Sequence, residues 1–200
     1  MKNSFEQCLV FISVGMFSSG ASSAEFINLG FGGLNPMAHC SAQVLMLEYE
    51  HQLTTTTAFL ARGSGVSYRY DNGRYLEDGR LRGMDVGARY YPAGSMQGLF
   101  VGGTIGYWNQ DQTFTQYEST PGQWQGKASH TSPRLNIDIG DRITIEGSKF
   151  SIMPEVNIGK FFMSSSCDVT APSAMIGTPC NQKSEVNYYI FVGLLVGLEF

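Results

Sequence analysis

The chain has 200 residues, enough for one ordinary domain or one small barrel. Only 15% of residues are charged, 12% are aromatic and the mean hydropathy is −0.09, which excludes both a bundle of membrane helices and a disordered chain. A net charge of −4 argues against a general electrostatic grip on nucleic acid, and 24 glycines without a Gly-X-Y period exclude collagen and point to turns and closely packed strands.

Residues 1–24 read as a secretory signal peptide. Lys2 supplies a positive start, Cys8 to Phe17 is an apolar run of ten residues, and Ser22 and Ala24 are the two small residues a signal peptidase requires. As a helix the run would reach only about 15 Å, half the hydrocarbon thickness, so it is too short for an anchor. Cys8 opens the run, whereas a lipoprotein cysteine follows it. The mature chain is expected to start near Glu25, with 25–200 as one barrel domain.

From there the apolar residues recur with period two. Ile27, Leu29 and Phe31 alternate with Asn28, Gly30 and Gly32. Leu45, Leu47 and Tyr49 alternate with Met46, Glu48 and Glu50. A third strand near Ala58 to Tyr70 breaks the rule, because Arg62 and Tyr68 share parity. A β-bulge at Gly63-Ser64-Gly65 would flip the parity and send Tyr68 outward and Arg69 inward. Met84 to Tyr90, Leu99 to Tyr107, Leu135 to Ile139, Ile152 to Ile158 and Val192 to Phe200 each alternate again. A second irregularity is expected at Pro154, which has no ladder donor.

The connections alternate in length. Those at 54–57, 92–97 and 146–149 are short; those at 35–42, 71–79, 111–131 and 164–184 are longer. Tight turns at one end and long loops at the other describe an all-β, eight-stranded antiparallel up-and-down transmembrane β-barrel. Tyrosines near the strand ends and glycines mixed with charges on the polar face favour a lipid-facing exterior over a soluble barrel. The location expected is the bacterial outer membrane.

An eight-stranded barrel is just wide enough inside for side chains. Parity places Glu48, Glu50, Asp85, Asp138 and Glu155 there with Arg62, Arg69, Arg89 and Arg134. These charges read as a salt-bridged plug; a gated ion path is the alternative. Cys167 and Cys180 lie in one long loop of an oxidising compartment, where a disulfide would contribute about 3 kcal/mol. Cys40 is left free or competes for one of them.

No zinc spacing, phosphate loop or dinucleotide fingerprint is present, so no metal and no cofactor is expected. His130-Thr131-Ser132 has the His-x-Ser spacing of the lipid A deacylase barrels, with Glu146 downstream. Residues 132 and 146 would lie roughly 45 Å apart on one extended strand, too far for a triad. No catalytic residues are therefore expected. The third outer loop carries Phe114, Tyr117 and Trp124, which suit contact with an extracellular partner.

The segment Val192 to Phe200 resembles the C-terminal signal by which the outer-membrane assembly machinery recognises barrels. The runs Glu25 to Asn35, Leu47 to Glu50, Gly87 to Pro92 and Gly98 to Gly103 are similar to small outer-membrane barrels of the OmpA/OmpX-like class. The resemblance implies an outer-membrane barrel with Phe200 as an assembly signal; no peptidoglycan-binding domain is expected after it. Outer-membrane lipid and lipopolysaccharide are the expected surroundings, with loops 111–131 and 164–184 facing outward on a monomer. The function expected is structural or surface-interacting and non-catalytic; a lipid A-modifying hydrolase or a narrow channel are the alternatives.

Overall fold

The computed structural model describes residues 24–34, 40–117, 123–162, 167–170 and 188–200. Among them are nine strands: β1 (Glu25–Leu34), β2 (Cys40–Gln52), β3 (Thr57–Asp71), β4 (Tyr75–Tyr90), β5 (Gly98–Tyr117), β6 (Gln123–Thr144), β7 (Phe150–Phe161), β8 (Cys167–Thr170) and β9 (Tyr188–Glu199). All pairings are antiparallel. β1 to β7 and β9 form a ring of eight, which β1 closes on β9 and β5 closes on β6. The short β8 pairs only with Lys127–His130 of β6. Ring closure leaves the membrane-spanning strands without an open edge.

Strand lengths divide the wall in two. β1, β7 and β9, of 10, 12 and 12 residues, are within a residue of the roughly 9–11 tilted residues that cross a bilayer. β5 and β6, of 20 and 22 residues, rise well beyond it. The segments 71–79 and 111–131, expected as loops, are therefore mostly strand: β3 runs to Asp71 and β4 restarts at Tyr75, while β5 and β6 pair as far as Tyr117↔Gln123. The apolar pattern stops where the outside becomes water, and that loss of pattern looks like a loop in the sequence.

The expected bulge in β3 is absent. Pairing with β2 and β4 keeps one register from Ala58 to Tyr70, so Arg62, Val66 and Tyr68 all face inward and Ser67 and Arg69 outward. Arg69 on the outer face costs nothing there, because it stands above the apolar belt. Pro154 leaves a gap in the β6–β7 ladder between Gly140↔Glu155 and Ile143↔Ile152, but the register resumes unchanged, as a missing rung and not a bulge.

The glycines belong to the packing of the interior. Cross-strand partners pair Tyr68 with Gly79, Trp108 with Gly83, Phe114 with Gly126, Phe100 with Gly140 and Tyr189 with Gly159. In each pair the ring lies over the glycine, where a Cβ would collide with it. Glycine opposite an aromatic ring lets a narrow barrel hold large side chains without strain.

At the short-turn end, residues 91–97 fold back into the mouth. Ser95 N donates to Thr55 O at 2.7 Å, and Ser95 and Met96 adopt φ of 57° and 52°, in the left-handed region. This conformation is uncommon for side chains other than Gly, Asn or Asp. It turns Met96 fully inside, against Phe26, Tyr91, Phe100 and Met153.

Candidate functional site

The barrel is polar inside and apolar outside. Ile27, Leu47, Val86, Ile105, Ile137 and Leu194 are among a continuous set of exposed apolar side chains, while Glu48, Glu50, Arg62, Asp85, Arg89, Asp138 and Glu155 are buried. Only a hydrocarbon surround makes such an exterior favourable. The upper limit of the belt follows from register. The outward row Leu135, Ile105, Val86 is apolar, as is the next, Pro133, Tyr107, Met84; the one above is Thr131, Asn109, Arg82.

The central network is centred on Arg89. Its Nε donates to Asp138 Oδ2 at 2.7 Å, Nη1 to Glu48 Oε1 and to Glu50 Oε2 at 3.1 Å, and Nη2 to Glu155 Oε2 at 2.9 Å. Arg62 grips Glu48 from the other side, with Nε to Oε2 at 2.9 Å, and gives Nη1 to Asn157 Oδ1 at 2.7 Å. Arg142 donates Nη2 to Glu50 Oε2, and its guanidinium lies 3.8 Å from the Phe26 ring centre. Tyr91 donates to Glu50 Oε1 at 2.6 Å, and Asn28 Nδ2 to Glu48 Oε1 at 2.9 Å. Desolvating so many ions is tolerable only with this density of hydrogen bonds.

A second layer lies nearer the tall end. Arg134 Nη2 donates to Asp85 Oδ2 at 2.8 Å, and Trp108 Nε1 to Asp85 Oδ1 at 3.0 Å. The Arg134 guanidinium stacks on Trp108 and stands 5.0 Å from the Tyr189 ring. Tyr189 OH, Asn136 and Asn157 connect this layer to Arg62 through bonds of 2.7 and 2.9 Å. Higher still, the Tyr68 hydroxyl donates to Glu77 and takes a hydrogen bond from Gln110 at 2.6 Å.

The structure thus brings Glu48, Glu50, Arg62, Arg89, Asp138 and Glu155 into one network and Asp85 and Arg134 into another. It removes Arg69 from the lumen: its side chain is 58% exposed and stands 3.9 Å from Asp78 on the outer face. Without a bulge, the parity of Arg69 points outward. Sequence reading missed Arg142, which has the parity of Arg134 and Asp138 but lies beyond Asp141, which interrupts the outward apolar row. It also missed Tyr91, folded inward with the turn.

His130 and Ser132 are buried and point inward, and Glu146 belongs to the turn at the opposite end. Burial above the belt pushes the His130 imidazole below its ordinary pKa. No group of three metal-ligating side chains occurs among the described residues. Phe114 is buried against Gly126 and so is not a contact residue. Cys180 lies outside the described residues.

Solved structures share this architecture. A major outer membrane protein from Thermus thermophilus superposes with a TM-score of 0.55 at 12% identity, over 90% of this chain and all of that one. Ail, the attachment invasion locus protein of Yersinia pestis, gives 0.50 at 11% identity, over 89% and 97%. The fold is that of bacterial outer-membrane β-barrels. No protein-family profile matches the sequence, and no curated protein matches it.

Proposed function

We propose that this chain is a closed outer-membrane barrel of the OmpA/OmpX-like class, with a structural and surface-interaction role and no catalysis. The observation that carries the reading is the Arg89 network, four acceptor carboxylates around one buried guanidinium inside an apolar-walled ring. In this reading residues 1–24 are a signal peptide removed on export, the short turns face the periplasm, and the tall β3–β6 wall stands outside the cell. Contact with an extracellular partner then falls to the outward polar side chains of that wall and to loop 164–184, where Cys167 and Cys180 form a disulfide. Phe200, on the last strand, serves the assembly machinery.

Planar-bilayer recording of the refolded barrel tests the closed lumen. Current near the background of protein-free bilayers is expected, and steady single-channel steps would put the channel reading ahead. Mass spectra of lipid A from cells with and without the gene test the hydrolase reading, with identical spectra expected. Deleting Phe200 should lower the amount of barrel inserted in the outer membrane; undiminished insertion would remove its assigned role.

A further inference from the structure

Above the belt, the outer face of β3–β6 carries a concave pocket of about 690 Å³, bordered by Ser67, Arg80, Asp111, Thr113, Lys127 and Ser129. Register arranges its walls in rows. Ser67, Arg80, Asp111 and Ser129 lie side by side across four strands, and the row above holds Arg69, Asp78, Thr113 and Lys127. Arg82 stands in the row beneath, directly over Met84 and Tyr107, the top of the apolar belt.

The charges in this pocket are unevenly matched. Asp111 accepts a hydrogen bond from Ser129 Oγ at 2.8 Å, and Asp78 has Arg69 at 3.9 Å. Arg80, Arg82 and Lys127 are exposed and make no ion pair with any described residue, although Arg80 is the register partner of Asp111. Three unpaired cations, one in each of the first three rows above the hydrocarbon belt, suit the phosphate groups of a lipid whose headgroup rises from that belt. Hydroxyls and carboxylates between them suit sugar hydroxyls, which donate as well as accept. The exposed Met84, Val86, Ile105 and Tyr107 continue the same face downward, where acyl chains would lie.

We infer that this face is a binding site for a phosphorylated glycolipid, with its phosphates on Arg80, Arg82 and Lys127, its sugar in the pocket and its chains along β4 and β5. A plain glycerophospholipid headgroup has too little hydroxyl chemistry for Ser67, Asp111, Thr113 and Ser129. The inference rests on the outer-membrane reading, which places the tall wall at the outer leaflet.

The test uses the folded barrel in phosphocholine micelles, followed by the backbone amide shifts of Ser67, Thr113 and Ser129. Diphosphorylated lipid A, its dephosphorylated form and phosphatidylglycerol are titrated separately. Saturable shifts are expected with diphosphorylated lipid A, and the Arg80→Gln/Lys127→Gln double variant should bind it about tenfold more weakly or worse. Lys149→Gln, in the turn at the other end, should bind as the wild type does. Equal shifts with phosphatidylglycerol, or undiminished binding by the double variant, would overturn the site. Heat-modifiable migration after refolding into lipid vesicles is scored in parallel: a chain that does not insert there sinks the outer-membrane reading, whereas an inserted barrel without lipid A shifts sinks only the pocket.

Discussion

The guanidinium of Arg134 lies 4.1 Å from the centre of the Trp108 ring, and both side chains hold the same carboxylate, one oxygen of Asp85 each. This cation–aromatic clip shares no ion pair with the Arg89 network and closes the lumen at a different height. Met96, folded in with the 91–97 turn, closes it a third time at the short-turn mouth. A path through the barrel has to pass all three.

Conductance should therefore respond to combinations and not to single substitutions. Arg89→Ala alone is expected to stay near background in a planar bilayer, because Trp108, Arg134 and Met96 remain. Arg89→Ala with Trp108→Ala and Met96→Gly should conduct if all three layers matter. Open channels in the single variant would show that the Arg89 network is the only barrier.

Stability should separate the members of that network. Arg89 is fully buried and contacts four carboxylates, so Arg89→Ala leaves those four to the two guanidiniums of Arg62 and Arg142 and should cost about 3–5 kcal/mol in urea unfolding. Val86→Ala, on the lipid face, should cost about 1 kcal/mol or less, since it strands no charge. Asp138→Asn should also cost less than Arg89→Ala. It leaves three carboxylates for the three guanidiniums of Arg62, Arg89 and Arg142, and the amide oxygen still accepts from Arg89 Nε. If Asp138→Asn proved the worse of the two, the balance of charge in the network would have been misjudged.

Within the membrane, period-two alternation is enough to read the strands and to set Glu48, Arg62, Arg89 and Asp138 on one face. The signal fails where the solvent changes. Between Gly65 and Gly79 the outside is water, so Tyr68 turns inward and Arg69 outward, the reverse of what a lipid exterior demands. A bulge at 63–65 would restore a pattern that a water-facing wall does not require. The glycine–aromatic pairs are hidden for another reason: Gly83 and Trp108 are neighbours only through register, which composition does not reveal.

Arg69→Ala should leave stability within about 0.5 kcal/mol of wild type, because an exposed pair at 3.9 Å contributes little. Urea midpoints of Arg69→Ala and Arg62→Ala measured side by side check the assignment of β3. A large loss at Arg69 as well as at Arg62 would bring the bulge back.

The glycine pairs make opposite predictions at two positions of similar depth. A Cβ on Gly83 would press into the Trp108 indole, whereas one on Gly63, in the neighbouring strand β3, meets nothing within 4 Å. Gly83→Ala should therefore cost about 1–3 kcal/mol, as overpacking does. Because the indole holds Asp85, the same change should shift its fluorescence, read in a Trp124→Phe background so that Trp108 is the one tryptophan. Gly63→Ala should be neutral or stabilise by about 0.4–1 kcal/mol, since it only restricts the unfolded chain. Equal effects at the two glycines would mean that Trp108 does not lie across Gly83, and the clip on Asp85 would lose its support.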